Sequence, residues 1–429
     1  MKIRQSLKQL KINMNLGLGK IAPYTHFIPE GFRKKCAEWL IHITTPRPRV
    51  RTLPTPYMKG KNPEGINLFG FFMAENGLAQ GVKMYAKAIE VADIPHAFLN
   101  TDFITWLEKS DLSYKDRLSK RAKYGINVIH INPDQWFDAC IEFPRKTFDF
   151  HYTIGVWLWE LEIIPKEWEK ILPYVNELWA PSEFIASALR KVSSVPVEVI
   201  PYGIDVPVEP GVTRKSLGLP EDAFLVLTMY DSRSYAARKN PQAAIKAFAK
   251  AFRGKNTRAV MVIKINNPTP EDLAMIQETM GDIPYILIKE KLPKAKLNAL
   301  IQLCDVFISL HRSEGFGLVM AEAMMLGVPT IATNWSANAE YMNDQNSCVV
   351  NYDLVPVKGQ YQYEQDGYRW AEADISQGAE YLIRLYEDEA YRTQLCARGK
   401  KWMEEHYSVE ACGAKIKQRY QQLLGELSQ

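Results

Sequence analysis

Short apolar runs rich in β-branched and aromatic residues alternate along this chain with longer stretches of helical period. The run Gly65 to Gly70 (GINLFG) reads as a strand, and Gly81 to Val91 as the helix that follows it. Further strands are predicted at His96 to Leu99, Ile126 to Ile131, Thr153 to Trp157, Glu177 to Ala180 and Val197 to Ile200. Ser182, with Pro181 ahead of it, suits the N-cap of a helix reaching Val192. The alternation resumes with strands at Phe224 to Met229, Ala259 to Ile265, Tyr285 to Ile288 and Asp305 to Leu310. Helices at Pro241 to Phe252, Glu271 to Met280 and Lys294 to Leu303 separate them. A helix from Leu318 to Leu326 is stopped by Gly327 and Pro329, and an amphipathic one runs from Val409 to Leu424.

Repeated strand–helix alternation implies an α/β chain with parallel sheets covered on both faces. The proline- and glycine-rich stretch Pro201 to Val212 (PYGIDVPVEPGV) has no helical period and is the expected linker between two doubly wound halves. A cleft between the carboxyl ends of their strands is where ligands are expected. The division expected is a basic extension over 1–60, a first domain over 61–205, a second over 206–408, and a last helix over 409–429 packing back on the first domain.

Apolar content of 47% and charged content of 24% are ordinary for a soluble globular protein. The net charge of +4 hides an asymmetry. Residues 1–60 hold 12 Lys and Arg against 2 Asp and Glu, and the remainder 41 against 47. That basic leader, with Leu7, Leu10, Phe27, Phe32 and Trp39 interspersed, suits either peripheral contact with an anionic membrane or a solvated extension packing on its own domain or a partner subunit. Zinc-finger spacing and aromatic–basic recognition motifs are absent, so no nucleic-acid partner is expected. The six cysteines lack paired spacing, and the chain shows neither a secretory signal nor an apolar run of about 18 residues. The expected location is the cytoplasm, peripheral at the inner face of the membrane if the leader touches lipid.

The densest chemistry is in Ser313 to Thr333, SEGFGLVMAEAMMLGVPTIAT. Glu314 and Glu322 stand eight apart, and Gly315, Phe316 and Gly317 form a turn between a strand and the helix from Leu318. Strand, glycine turn and helix together aim open backbone N–H groups at a phosphate, while the carboxylates suit hydroxyls. Arg233, Arg238 and Lys239 lie between a strand and the helix begun by Pro241, a placement suited to a diphosphate or else an incidental basic loop. Glu75-Asn76-Gly77-Leu78 follows the first strand, where a ligand loop belongs, but lacks the full dinucleotide fingerprint and reads equally as a tight turn. Trp157 and Trp159 read as core. Glu160 beyond them would lie at the cleft, binding hydroxyls or assisting proton removal. His311, just before Arg312-Ser313-Glu314, is the histidine nearest this chemistry, and His130 and His151 read as structural. No Asp-x-Asp occurs, so no metal and no cofactor are expected beyond a nucleotide-sugar donor.

These residues resemble family 4 of the retaining glycosyltransferases, which share the GT-B fold of two Rossmann-like domains. Glu314 and Glu322 form the family's Glu-x7-Glu pair, and Asn338 and Glu340 in ANAEYM match the segment after its next strand. WAPSEF (Trp179 to Phe184) and VIPYGID (Val199 to Asp205) match the end of its first domain and its linker. GVWLWE, RKNP and WAEAD look like one bacterial branch. The resemblance implies that Glu314 holds donor-sugar hydroxyls, that the amides of Gly315 to Leu318 meet sugar and diphosphate, and that Glu322 takes the ribose hydroxyls. Arg238 and Lys239, with Arg233, would neutralise the pyrophosphate. Which arginine fills the family's role stays open, because the arginine–lysine spacing differs here. Where many members carry a catalytic histidine, this chain has Trp157 to Glu160. The activity implied is transfer of a hexose or deoxyhexose to a glycan or lipid-linked acceptor in cell-surface polysaccharide synthesis. The rival readings are a non-catalytic nucleotide-sugar binding subunit and a GT-B enzyme that uses phosphate or epimerises the sugar.

Overall fold

The computed structural model of the chain describes residues 53–102, 110–358 and 367–428. Most of the basic leader, and with it the membrane reading, lies outside the described residues.

The first half holds a six-stranded parallel sheet of β1 (Ile66–Gly70), β2 (His96–Asn100), β3 (Ile126–Ile129), β4 (Tyr152–Val156), β5 (Glu177–Ala180) and β6 (Val197–Val199). The second holds β7 (Phe224–Asp231), β8 (Ala259–Asn266), β9 (Tyr285–Ile288), β10 (Val306–Ser309), β11 (Thr330–Thr333) and β12 (Cys348–Val350). Their spatial orders are 2-1-3-4-5-6 and 12-11-10-7-8-9. Each therefore reverses direction once, beside β1 in the first sheet and between β7 and β10 in the second. A ligand crevice forms where loops leave the carboxyl ends of strands at such a reversal. The loop carrying Arg233 to Lys239 follows β7, and the Glu314 turn follows β10.

Between the strands run α1 (Gly77–Val91), α2 (Trp136–Glu142), α3 (Glu183–Arg190), α4 (Ala236–Lys239), α5 (Pro241–Phe252), α6 (Pro270–Met280), α7 (Lys294–Gln302) and α8 (Leu318–Met325). Their buried faces are rich in alanine, as in Ala243, Ala244, Ala247 and Ala251 of α5, which lets helix and sheet approach closely. Helix α1 begins four residues before the expected Gly81, because the Asn76 side chain accepts the Ala79 N–H at 2.9 Å and caps it there. Gly81 is instead an interior packing position. A Cβ there would sit 2.6 Å from the Tyr202 hydroxyl and 2.9 Å from His130 Nε2.

In the second half β11, β12 and α4 were not foreseen from the apolar pattern, nor was the run that follows β12. An antiparallel hairpin pairs β13 (Tyr352–Pro356) with β14 (Arg369–Ala373), followed by α9 (Ile375–Glu387) and α10 (Glu389–Tyr407), capped by Asp374 and Asp388. The chain then returns to the first half. Ile204 of the linker donates its N–H to the Tyr407 carbonyl at 2.7 Å, and α11 (Val409–Glu426) lies along α1. Arg419 of α11 reaches the fully buried Glu177 of β5 with two hydrogen bonds, of 3.0 and 2.7 Å. Tyr152 and Trp179 donate to the same carboxylate, so its charge is well satisfied.

Candidate functional site: a charged turn between two sheets

The Glu314 turn is built around Gly317, whose φ of +83° lies in the left-handed region that favours glycine. An added Cβ would also meet the Tyr341 hydroxyl at 2.7 Å. That hydroxyl hydrogen-bonds the carbonyls of Phe316 and Gly317 at 3.0 and 2.9 Å, while the Phe316 ring is buried against Tyr202 and Tyr341. The turn is thus pinned from behind by its side chains. On its open side, the N–H groups of Gly315, Phe316, Gly317 and Leu318 have no hydrogen-bond partner among the described residues. Open amides at the start of α8, whose dipole adds positive potential, make an anion seat.

Gly315 marks where the two halves touch. A Cβ on it would lie 2.9 Å from the Trp159 carbonyl, and Ser182 donates to the Gly315 carbonyl at 2.8 Å. Beside it Ser313 donates to the Glu160 carbonyl. On the neighbouring side, Glu340 accepts the N–H groups of Glu183 and Phe184 at 2.9 and 2.8 Å, supplying a carboxylate to the first turn of α3 across the cleft. Lys291, after β9, pairs with Glu75, after β1, at 2.5 Å.

At this junction Glu314 stands between two cations. Arg238 Nη1 is 3.0 Å from one carboxylate oxygen and Lys239 Nζ 2.5 Å from the other. Burial pushes the Glu314 carboxyl up, but Arg238 and Lys239 outweigh it and hold it down at about 2. It is therefore ionised at any physiological pH. Arg238 is only 4% exposed, and its guanidinium also donates to the Ser313 carbonyl at 2.8 Å and faces Glu160 Oε1 at 3.5 Å. It joins acids from both halves. Lys239 keeps 26% of its side chain exposed, and Arg233 lies exposed on the turn after β7 with no ion pair among the described residues. Arg233 is thus the one cation of the three outside the cluster.

Helix α4, which carries Arg238 and Lys239, is flanked by Tyr235 and Asn240, both left-handed, with φ of +54° and +46°. Asparagine tolerates that conformation; for tyrosine it costs on the order of 1–3 kcal/mol, a strain typical of functional loops. Tyr235 escaped sequence reasoning, since nothing local marks a strained residue. Burial, then the nearby Glu160, raises its phenol. Glu322, one turn into α8 and 2% exposed at its side chain, pairs with Lys294 at 2.5 Å. Lys294 was also missed. Asn76 and Gly77 stand at the start of α1, where the Asn76 oxygen is spent on the cap.

His311 and His130 are structural. His311 is fully buried behind the turn, its Nε2 bonded to Asn338 Oδ1 at 2.9 Å, and burial lowers its basicity. His130 is held at about 4 by burial and pairs with Tyr202. Trp157 and Trp159 are core, packed against Trp168. The unforeseen hairpin has a local purpose. Trp370 of β14 lies under the Arg312 guanidinium and Glu372 pairs with it at 2.7 Å, bracing the residue two before Glu314. Among the described residues no group of His, Cys, Asp and Glu could hold a metal ion, and no helix is long and apolar enough to cross a membrane.

Comparison with known proteins agrees with this architecture. One relative is a D-inositol 3-phosphate glycosyltransferase of Corynebacterium glutamicum (strain R), 30% identical over 125 residues. The match covers 28% of this chain and 29% of that protein, so the chain spans under a third of the length of that relative. Among solved structures, Anabaena HepE in complex with UDP and glucose superposes with a TM-score of 0.61 at 13% identity, over 83% of this chain and all of HepE. The sucrose-phosphate synthase of Thermosynechococcus elongatus gives 0.61 at 16%, over 85% of this chain and 100% of that one. Such likenesses show the fold. The chain is a GT-B protein of two Rossmann-like halves, and its residues 212–402, from just before β7 into α10, match the family described as glycosyl transferases group 1.

Proposed function

We propose that the chain is a retaining glycosyltransferase that moves a hexose or deoxyhexose from a nucleoside-diphosphate sugar to a hydroxyl of a glycan or lipid-linked acceptor in cell-surface polysaccharide synthesis. The observation that carries this reading is the meeting, at one turn, of four open amides and an ionised Glu314 set between Arg238 and Lys239. Amides and cations suit phosphate, and a buried carboxylate suits sugar hydroxyls. Glu322 stands one helical turn further on, where in this reading it takes the ribose hydroxyls.

In this proposal, cleavage of the anomeric bond drives negative charge onto the diphosphate, which the start of α8, Lys239 and Arg233 receive in place of a metal. The departing phosphate oxygen takes the acceptor's proton, so no carboxylate forms a covalent bond to the sugar. Arg238, buried among Glu314, Glu160 and the Ser313 carbonyl, orients the acids rather than the diphosphate. Contacts between the halves exclude water that would otherwise hydrolyse the donor. A cytoplasmic chain resting through its basic residues 1–60 on anionic lipid would meet a lipid-linked acceptor there.

The test incubates the chain with uridine, guanosine and thymidine diphosphate sugars and follows release of nucleoside diphosphate, with and without glycan acceptors. Release with a retained anomeric configuration in the product is expected. Binding without release would instead make the chain a donor-binding subunit. Absence of binding would remove both readings.

A further inference from the structure

A second concavity of about 390 Å3 lies between the halves, walled by α3 on one side and by the segment after β11 on the other. Its size falls within the roughly 300–1,000 Å3 usual for small-molecule sites. Three aromatic rings line it in succession. Phe184 of the first half meets Trp335 of the second edge-on at 5.7 Å, and Trp335 meets Tyr352 at 5.2 Å. All three are half-buried and so keep part of their surface open.

Around the rings stand the carboxylates of Glu162, Glu183 and Glu340, the exposed amide of Asn334 and a single cation, Lys191. A sugar ring offers an apolar face of C–H groups and a rim of hydroxyls. Aromatic surface takes the first; carboxylate and amide take the second. Glu340 is already committed to two amides of α3 and Glu183 pairs with Arg190, which leaves Glu162 and Asn334 as the hydroxyl-binding edge. Glu162 makes only a long, exposed pairing with Arg369 at 3.5 Å. Arg190 and Arg369 are spent on Glu183 and Glu162 at the rim, so the lining offers an anion only Lys191 among three carboxylates and suits a neutral or amino sugar better than a uronate or phosphate. The groove is joined to the Glu314 turn by one residue. Ser336, in its lining, accepts the Glu314 N–H at 2.9 Å.

We propose that this groove is a saccharide subsite which holds a neutral or amino sugar of the acceptor's chain, apart from the cleft that takes the donor. The identity of its occupant rests on the glycosyltransferase reading above; the groove's chemistry does not. Binding there would anchor a growing glycan while its end is presented to the donor.

The test titrates the full chain with maltopentaose and chitotetraose, and with tetragalacturonate as the acidic control, by saturation-transfer NMR. UDP is titrated in parallel. Trp335→Ala removes the central ring, whereas Ser187→Trp fills the groove from an exposed position of α3 and removes no contact between the halves. At least one neutral oligosaccharide should bind, about tenfold more weakly in both variants and about tenfold more weakly again for the acidic control, with UDP affinity unchanged. The proposal is overturned if neither neutral oligosaccharide binds, if Ser187→Trp binds as the wild type does, or if tetragalacturonate binds equally well. Failure of UDP to bind the wild type would count against the donor site alone, because the oligosaccharide titration is read independently.

Discussion

Replacing Glu314 with glutamine keeps the shape of the side chain and removes its charge, so the loss can be worked out from its surroundings. In the folded chain the carboxyl is held at about 2 rather than its ordinary 4.5. At about 1.4 kcal/mol for each pH unit, the difference corresponds to about 3 kcal/mol of folding stability at neutral pH. The sign follows from the direction. A carboxyl depressed by folding contributes fully above its unfolded value of 4.5 and loses that contribution as the pH falls towards 2. Glu314→Gln should therefore unfold in urea about 3 kcal/mol more easily at pH 7, and the gap should narrow by about 1 kcal/mol near pH 3.5. Arg238, 4% exposed, would be left with Glu160 at 3.5 Å and the Ser313 carbonyl. Donor turnover in the same variant should fall by on the order of 100-fold, because the proposed reaction uses that carboxylate to orient the sugar. Equal stability of variant and wild type at neutral pH, or a gap that does not close in acid, would refute the electrostatic account. Unchanged turnover would refute the assignment of the site.

The two arginines should separate. Arg233→Ala should weaken nucleoside diphosphate binding by about tenfold with little change in stability, while Arg238→Ala should cost roughly 3–5 kcal/mol in denaturant unfolding and spare that binding; calorimetry showing the reverse would exchange their roles. Gly317→Ala, which forces a Cβ onto a residue at φ +83° and 2.7 Å from the Tyr341 hydroxyl, should lower stability by about 1–3 kcal/mol, and a neutral result would mean that the turn relaxes freely. Arg419→Ala strips the partner from Glu177, which is fully buried, and should destabilise the chain by roughly 3–5 kcal/mol; an unshifted melting temperature would show that α11 adds nothing to the first half.

Much of the fold was legible because its signals are short-range. Apolar runs such as VMVIKI match β8, Pro241 starts α5 and Ser182 caps α3, each encoded within a few neighbouring residues. Helices α9 and α10 and the β13–β14 hairpin were less visible. Helix α10 buries only Leu395, Gly399 and Met403, too sparse a stripe to mark a helix by pattern. The hairpin earns its place through Arg312, more than fifty residues away.

For the site, the residues that determine the character of the turn are local. Two glutamates eight apart around a Gly-Phe-Gly turn follow directly from the order of amino acids, because a strand, a tight turn and one helix position them all. What the chain alone could not decide is who stands opposite them. That Arg238 also faces Glu160, and that Phe184 and Trp335 share a groove, depends on the two halves being brought together by the crossings at Pro201–Val212 and Tyr407–Ser408, while the meetings of Arg238 with Glu314 and of Lys294 with Glu322 depend on how loops and helices pack within the second half. Charge pairing and burial act over a few ångströms of space irrespective of separation along the backbone, so only the tertiary structure could settle them.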